Sequence, residues 1–137
     1  MAHAIIRHGF LLITLALIAA LFIPAMAVPR LGLSAHTVGV TGGMLLIAMG
    51  AVWSHFQLSE TQQRWLHYLW VSSSYLNWLA CLAAALLGTG RTTPLASAGA
   101  VGGALEETLV AILFGAVVLL SLGACGLSLW GLRSPGR

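Results

Sequence analysis

Four long apolar stretches, separated by shorter polar connections, dominate the chain. They cover residues of about 8–27, 36–56, 66–88 and 106–130. A helix needs roughly 20 mostly apolar residues to cross the hydrocarbon core of a bilayer, and each stretch is about that long. The pattern therefore predicts an all-α integral membrane protein. We expect a four-transmembrane-helix bundle that forms one domain over residues 1–137.

The composition points to the same surroundings. The chain is 59% hydrophobic and only 7% charged, and its mean hydropathy is +0.97. A soluble domain of this size needs a charged surface to stay dispersed, so membrane lipid is the expected environment. The six basic residues are all arginine and do not cluster, so nucleic-acid binding is not expected.

The arginines favour one side of the predicted bundle. The side that carries both termini holds four of them: Arg7, Arg64, Arg133 and Arg137. Arg30 and Arg91 fall on the opposite side. The positive-inside rule predicts that both termini are cytoplasmic. The membrane itself is expected to be of the bacterial inner-membrane type. The first stretch also resembles a secretory signal ending at Ala25-Met26-Ala27, but it is longer than a signal core, so we interpret it as a retained helix.

Local signals predict where the helices begin and end. Pro29 is expected to end the first helix, and Ser34 is a candidate N-cap of the second. The segment 59–62 (SETQ) predicts a capping box before the third helix. Glu106 and Glu107 open the fourth helix, where acids favour the helix dipole; alternatively, one of them points inward to a polar site.

His36 stands at the expected start of the second helix, with Gly39 and Gly43 on the following turns. An imidazole is a good iron or zinc ligand, and positions without side chains let a flat group approach the backbone. The sequence therefore predicts a buried cofactor, with His36 as metal ligand and both glycines as cofactor-binding residues. Close helix packing through the small-xxx-small pattern is the alternative explanation of the glycines.

The other histidines allow a different arrangement. His8, His55 and His67 are expected at one level, on the order of 28 Å from His36. Two of them would clamp a haem from both sides, as in electron-transfer cytochromes, whereas His36 alone would leave the sixth iron position open to substrate. The residues by themselves leave both arrangements open, and interfacial histidines that reach water are a third interpretation.

Asn77 is the costliest residue of the third stretch, because an amide in hydrocarbon must find hydrogen-bond partners. It is expected roughly one to two turns below the membrane surface on the His36 side. Tyr75 and Trp78 flank it in sequence. This set predicts an apolar, aromatic-lined pocket with one amide, which suits a small aromatic substrate.

Five segments, in order along the chain, carry a family resemblance: His8-Gly9, LGLSAH (31–36) with GGM (42–44), YLNWLA (75–80), GTGRTTPLA (88–96) and the acidic start of the fourth helix. Together they resemble the small membrane isomerases that include hydroxylaminobenzene mutase and, more distantly, styrene oxide isomerase. The resemblance implies four transmembrane helices, a homotrimer and ferric haem b with His36 as its axial ligand near a subunit boundary. Asn77 matches an asparagine held by both branches.

Two positions depart from the epoxide-isomerase branch. Gly42 and Cys81 stand where that branch is expected to have an asparagine and a tyrosine, so the resemblance favours the mutase reaction. We expect an isomerase that converts hydroxylaminobenzene to 2-aminophenol, a step of nitroaromatic degradation, with haem iron as Lewis acid. Asn77 would orient the substrate, and Tyr75 or Trp78 would flank its ring.

Three alternatives accompany this expectation. They are an epoxide isomerase of the styrene oxide isomerase type, a small bis-histidine cytochrome and a non-enzymatic membrane subunit or exporter. An exporter needs a membrane-embedded carboxylate, and the stretches offer only Glu106 and Glu107 at an edge.

Overall fold

The computed structural model describes residues 1–133, which form five α-helices. They are α1 (Ala2–Ala20), α2 (Pro29–Ala51), α3 (Glu60–Leu87), the single-turn α4 (Pro94–Ser97) and α5 (Ala104–Gly131). All except α4 are long and apolar enough to cross a membrane. The predicted all-α fold with four membrane-spanning helices is confirmed.

The four long helices pack in chain order. Helix α1 packs along α2, α2 along α3, and α3 along α5. Helix α5 makes at most marginal contact with α1 and α2, and it buries the smallest share of its span, 17%. An open groove therefore runs between α2 and α5, and α3 forms its floor.

Glycines bring α1 and α2 into backbone contact. A Cβ atom added to Gly43 would lie 2.6 Å from the carbonyl oxygen of Gly9, and one added to Gly9 would lie 2.6 Å from the oxygen of Gly43. Such distances are shorter than van der Waals contact, so any side chain here would force the helices apart. The membrane-type small-residue packing proposed for Gly43 is thus present in the structure.

The start of α2 differs from the sequence expectation. Helix α1 ends at Ala20, a 3₁₀ turn follows at Ile23–Ala25, and Pro29 is the first residue of α2. Proline suits that position because the N–H it lacks would have no helical partner there. Ser34 is consequently no cap: it lies inside α2 and donates its hydroxyl to the Arg30 carbonyl. His36 therefore lies about two turns inside the helix rather than at its mouth.

The two ends of α3 are set by a capping box and a glycine. The predicted capping box is confirmed: the Gln62 N–H donates to Ser59 Oγ, and the Ser59 N–H donates to Gln62 Oε1. Helix α3 thus begins at Glu60, earlier than the apolar stretch, because its first turns are polar and face water. It ends at Gly88, whose φ of +68° favours glycine.

Glu107 holds the connection between α3 and α5 in place. Its Oε1 accepts the N–H groups of Gly90 (2.8 Å) and Gly102 (3.1 Å), and its Oε2 accepts that of Arg91 (3.0 Å). The side chain is buried, whereas that of Glu106 is partly exposed. One acid of the pair therefore points inward, but it binds the backbone of this chain.

Replacing Glu107 by glutamine should loosen this connection. The amide oxygen can still accept from Gly90 and Gly102, but the NH₂ group that replaces Oε2 cannot accept from Arg91. We expect Glu107→Gln to lower the thermal unfolding midpoint in detergent and to speed proteolysis within residues 88–103. Glu106→Gln is the matched control and should change neither. Equal midpoints for the two variants would contradict the role given to Glu107.

Candidate active site

The groove between α2 and α5 is the best candidate for a substrate site. Its volume is about 210 Å³, and its walls combine apolar side chains with polar ones. An apolar cavity of roughly 150 Å³ is enough to bind benzene, so the groove suits a ring with one or two small substituents. The polar part of the lining consists of Thr41, Ser73, Ser74, Asn77 and Ser121.

Two of these polar groups are satisfied by their own helices. Thr41 Oγ1 donates to the Thr37 carbonyl (2.8 Å), and Ser73 Oγ donates to the Trp70 carbonyl (3.2 Å). Within residues 1–133, the side chains of Ser74, Asn77 and Ser121 have no protein hydrogen-bond partner. Because a polar group in hydrocarbon needs a partner, these three side chains are available to a ligand.

Asn77 lies in the pocket type that the sequence predicts, but the aromatic wall is Trp70. Trp70 and Ser74 precede Asn77 by seven and three residues, and these spacings bring side chains to one face of a helix. Sequence spacing therefore contained a signal for both residues. Ser121 comes from a different helix, and no local pattern links it to Asn77.

Tyr75 faces away from the groove. Its hydroxyl donates to the His8 carbonyl (3.2 Å) and lies 3.4 Å from His8 Nδ1, so it ties α3 to α1. Residues two apart on a helix point about 200° apart, which explains why Tyr75 and Asn77 separate. Trp78 is also outside the groove lining and packs on Gly39. Neither Tyr75 nor Trp78 lines the groove, where Trp70 is the aromatic residue instead.

Two histidines of the expected cluster come together near Tyr75. The rings of His8 and His67 lie 5.9 Å apart and edge-on at 62°, and Trp53 packs on His67. His55 does not join them, because it is exposed on the 3₁₀ turn Trp53–His55. His8 Nδ1 lies near the Tyr75 hydroxyl, and His67 Nδ1 is buried with no hydrogen-bond partner in the described part of the chain.

His36 is oriented by a contact with α1. Its Nδ1 lies 3.2 Å from the Ala16 carbonyl oxygen. With the proton on Nδ1, the ring donates to this carbonyl and keeps a free lone pair on Nε2. Histidines that bind metals usually show this arrangement, since the second nitrogen fixes the ring and the tautomer. The donor chemistry of His36 therefore fits an iron ligand.

The two glycines do not open the backbone to a flat group. A Cβ atom at Gly39 would lie 2.6 Å from Trp78 Cδ1, and Gly43 is packed against Gly9 as described above. Protein occupies the space that the cofactor interpretation required, so the helix-packing alternative holds at both positions. The fit of a haem to this chain therefore rests on the imidazole of His36.

His36 and the groove lie on opposite faces of α2. At 100° per residue, the groove residues Val38, Thr41 and Leu45 are centred roughly 180° from His36. Moreover, the imidazole turns toward Ala16 on α1, whereas Asn77 borders α5 across the groove. A single chain therefore does not bring the candidate metal ligand and the candidate substrate amide together.

Comparison with known proteins identifies the family to which this chain belongs. A family model described as styrene oxide isomerase matches residues 1–133. The chain belongs to the styrene oxide isomerase family. The resemblance inferred from the five short segments is confirmed, and with it the assignment of the chain to the isomerase enzymes.

Two curated relatives of this isomerase come from Ectopseudomonas oleovorans. Hydroxylaminobenzene mutase HabB is 39% identical over 139 aligned residues, which cover 100% of this chain and 85% of the relative. Hydroxylaminobenzene mutase HabA is 32% identical over 124 residues, which cover 84% of this chain and 92% of the relative. No solved structure matches the chain.

The placement of Tyr75 predicts a structural effect in this isomerase. Tyr75→Phe removes one neutral hydrogen bond between α3 and α1, so we expect a loss of about 1 kcal/mol in the free energy of unfolding. The KM should not change, because Tyr75 lies outside the groove. Tyr68→Phe, at an exposed position of the same helix, is the control. A Tyr75→Phe variant with native stability and a raised KM would show that Tyr75 contacts the substrate and does not stabilise the fold.

Proposed function

We propose that this protein converts an aryl hydroxylamine to the corresponding ortho-aminophenol, in the simplest case hydroxylaminobenzene to 2-aminophenol. In this isomerisation the N–O bond breaks and the oxygen bonds to the ortho ring carbon. That carbon loses its hydrogen as a proton, and the nitrogen takes up one proton, so atoms and electrons balance without an external oxidant. Both relatives are hydroxylaminobenzene mutases, which supports this substrate class.

The groove is the observation that carries the proposal. Trp70 supplies an aromatic wall, and Asn77 supplies an amide with no protein partner among residues 1–133. Nitrogen and oxygen are bonded to each other in the substrate and sit on neighbouring ring carbons in the product. In both molecules an amide can donate to one of the two atoms and accept from the other. Asn77 would thus orient the ring and hold the nitrogen and oxygen near the ortho carbon.

The groove also suits a reaction that bulk water would divert. It opens between α2 and α5, two helices whose lengths and compositions suit hydrocarbon. An apolar hydroxylamine would arrive from the lipid, and water would be scarce around the cleaving N–O bond. Exclusion of water would keep the oxygen from being replaced by solvent at another ring position.

We propose ferric haem b as the cofactor, held by His36. The donation of Nδ1–H to the Ala16 carbonyl would fix the ring so that Nε2 is the ligand atom. His36 would hold the haem, and its iron would supply Lewis-acid polarisation of an N–OH group. Gly39 and Gly43 contribute to this site only indirectly, by keeping α1 and α3 close to α2.

The opposite placement of His36 and the groove supports an oligomer. In a ring of identical chains, one surface of each subunit contacts a different surface of the next. Such a head-to-tail contact would bring the His36 side of one chain to the groove of its neighbour. We therefore propose a homotrimer in which each site uses two subunits.

The proposed location is a bacterial inner membrane with both termini in the cytoplasm. The Gln57 N–H donates to the Gly131 carbonyl, so the end of α5 lies beside the connection that leads to Arg64. Arg133 thus shares a level with Arg64, and the positive-inside rule favours this side as cytoplasmic. Arg137, which entered the sequence prediction, lies outside the described residues.

The family model also supports a second candidate, an epoxide isomerase. Gly42 lines the groove without contributing an amide, and Cys81 is buried outside the groove lining. Both observations favour the hydroxylamine over the epoxide. Membranes offered phenylhydroxylamine and styrene oxide in parallel should form 2-aminophenol and little phenylacetaldehyde; the reverse yield would favour the second candidate.

Removal of the groove amide should impair turnover more than stability. We expect Asn77→Ala to lower kcat/KM for phenylhydroxylamine by roughly tenfold to a hundredfold, because an oriented hydrogen bond to the reacting group is lost. Ser72→Ala, at an exposed position of α3, serves as the control. Initial rates of 2-aminophenol formation by purified protein measure the effect. Equal rates for the two variants would exclude a contact between Asn77 and the substrate.

The metal-ligand proposal has its own variants. His36→Ala should abolish both the haem absorbance band and turnover, whereas His55→Ala should leave both intact because His55 is exposed on the 3₁₀ turn. Absorbance spectra of the detergent-purified proteins test this. An active wild-type protein without pigment would show that haem is not the cofactor. Pigment retained in His36→Ala would show that another residue is the haem ligand.

A further inference from the structure

Hydroxyl groups in the spanning helices usually close onto their own backbone. Seven serine and threonine hydroxyls donate to a carbonyl three or four residues earlier: Thr14, Ser34, Thr37, Thr41, Ser73, Thr108 and Ser128. This is the low-cost way to satisfy a hydroxyl in hydrocarbon. It leaves no donor for a ligand.

Ser74 and Ser121, which line the groove, do not form this hydrogen bond to their own helices. Neither has a protein partner within residues 1–133, although each sits in a helix with carbonyls in reach. Ser74 is buried beside α2, since a Cβ atom added to Gly42 would lie 4.0 Å from Ser74 Oγ, and both residues line the groove. Together with Asn77, they form three polar groups that converge on one cavity.

The three groups approach the cavity from two sides. Ser74 and Asn77 are three residues apart on α3 and so lie on one face, about one turn from each other. Ser121 belongs to α5. Its register is set by Ser128, two turns further on the same face, because Ser128 Oγ accepts the indole N–H of Trp70 at 3.1 Å. This bond between α3 and α5 keeps Ser121 at the level of the groove.

We propose that Ser74 and Ser121 bind the N–OH group of the hydroxylamine beside Asn77 and thereby select it over aromatic compounds that lack this group; this inference rests on the proposed function. An N–OH group carries two donors and two acceptor atoms. One amide and two hydroxyls supply matching acceptors and donors from both walls. Helix α5 is then a wall of the substrate site, although it packs mainly on α3.

The variants Ser121→Ala and Ser74→Ala test this inference. Each removes one neutral hydrogen bond, so we expect the KM for phenylhydroxylamine to rise by about threefold to tenfold. The inhibition constant of toluene, a competing ring without a polar group, should stay unchanged. Ser121→Thr, which restores a hydroxyl, should recover the native KM. Ser72→Ala, exposed on α3, is the matched control.

The outcomes separate the inference from the proposed function. If the wild type forms 2-aminophenol and both alanine variants keep its KM, the inference is wrong and the function stands. If the KM and the toluene constant rise together, the serines support packing and the inference is also wrong. If the wild type neither binds nor converts phenylhydroxylamine, the proposed function fails and the inference with it. Thermal unfolding midpoints identify any variant that misfolds, and Ser121→Thr then carries the comparison.

Discussion

The need to pair every polar group in hydrocarbon governs this structure. It explains why hydroxyls close onto their own helices, why the Tyr75 hydroxyl donates to the His8 carbonyl, and why the Trp70 indole meets Ser128. The buried Nδ1 of His67 and Nε1 of Trp78 have no partner among residues 1–133, and the groove concentrates three further unpaired side chains on one cavity. There, an amide and two hydroxyls face a cavity of about 210 Å³ without protein partners among residues 1–133. A ligand with its own donors and acceptors would supply the hydrogen-bond partners that these three side chains lack.

Close packing on one side of α2 creates the opening on the other. Gly9 and Gly43 let α1 lie against the backbone of α2, and this contact brings the Ala16 carbonyl to the His36 ring. Helix α5 packs on α3 instead, so the opposite face of α2 borders the groove. The imidazole of His36 and the amide of Asn77 therefore lie at different surfaces of the chain, and for this reason the proposed chemistry uses neighbouring subunits.

Hydrophobic length predicted the four spans, and the cost of an amide in hydrocarbon predicted Asn77 as a site residue. Other features could not be predicted from the sequence and became visible only in the structure. Pro29 is compatible with ending one helix or starting the next. In the structure it starts α2, directly after Val28, whose N–H donates to the Ala85 carbonyl on α3. Tyr75 is close to Asn77 in sequence, yet helix rotation turns it toward α1. Ser121 joins the site from a helix far along the chain, which no local pattern reveals.

We propose that the substrate lies in the groove between α2, α3 and α5. An experimental structure of the protein with bound 2-aminophenol tests it most directly. We expect density for the ring beside Trp70, with its nitrogen or oxygen within hydrogen-bond distance of the Asn77 side chain. Product bound elsewhere, with a lipid chain filling the groove, would contradict it.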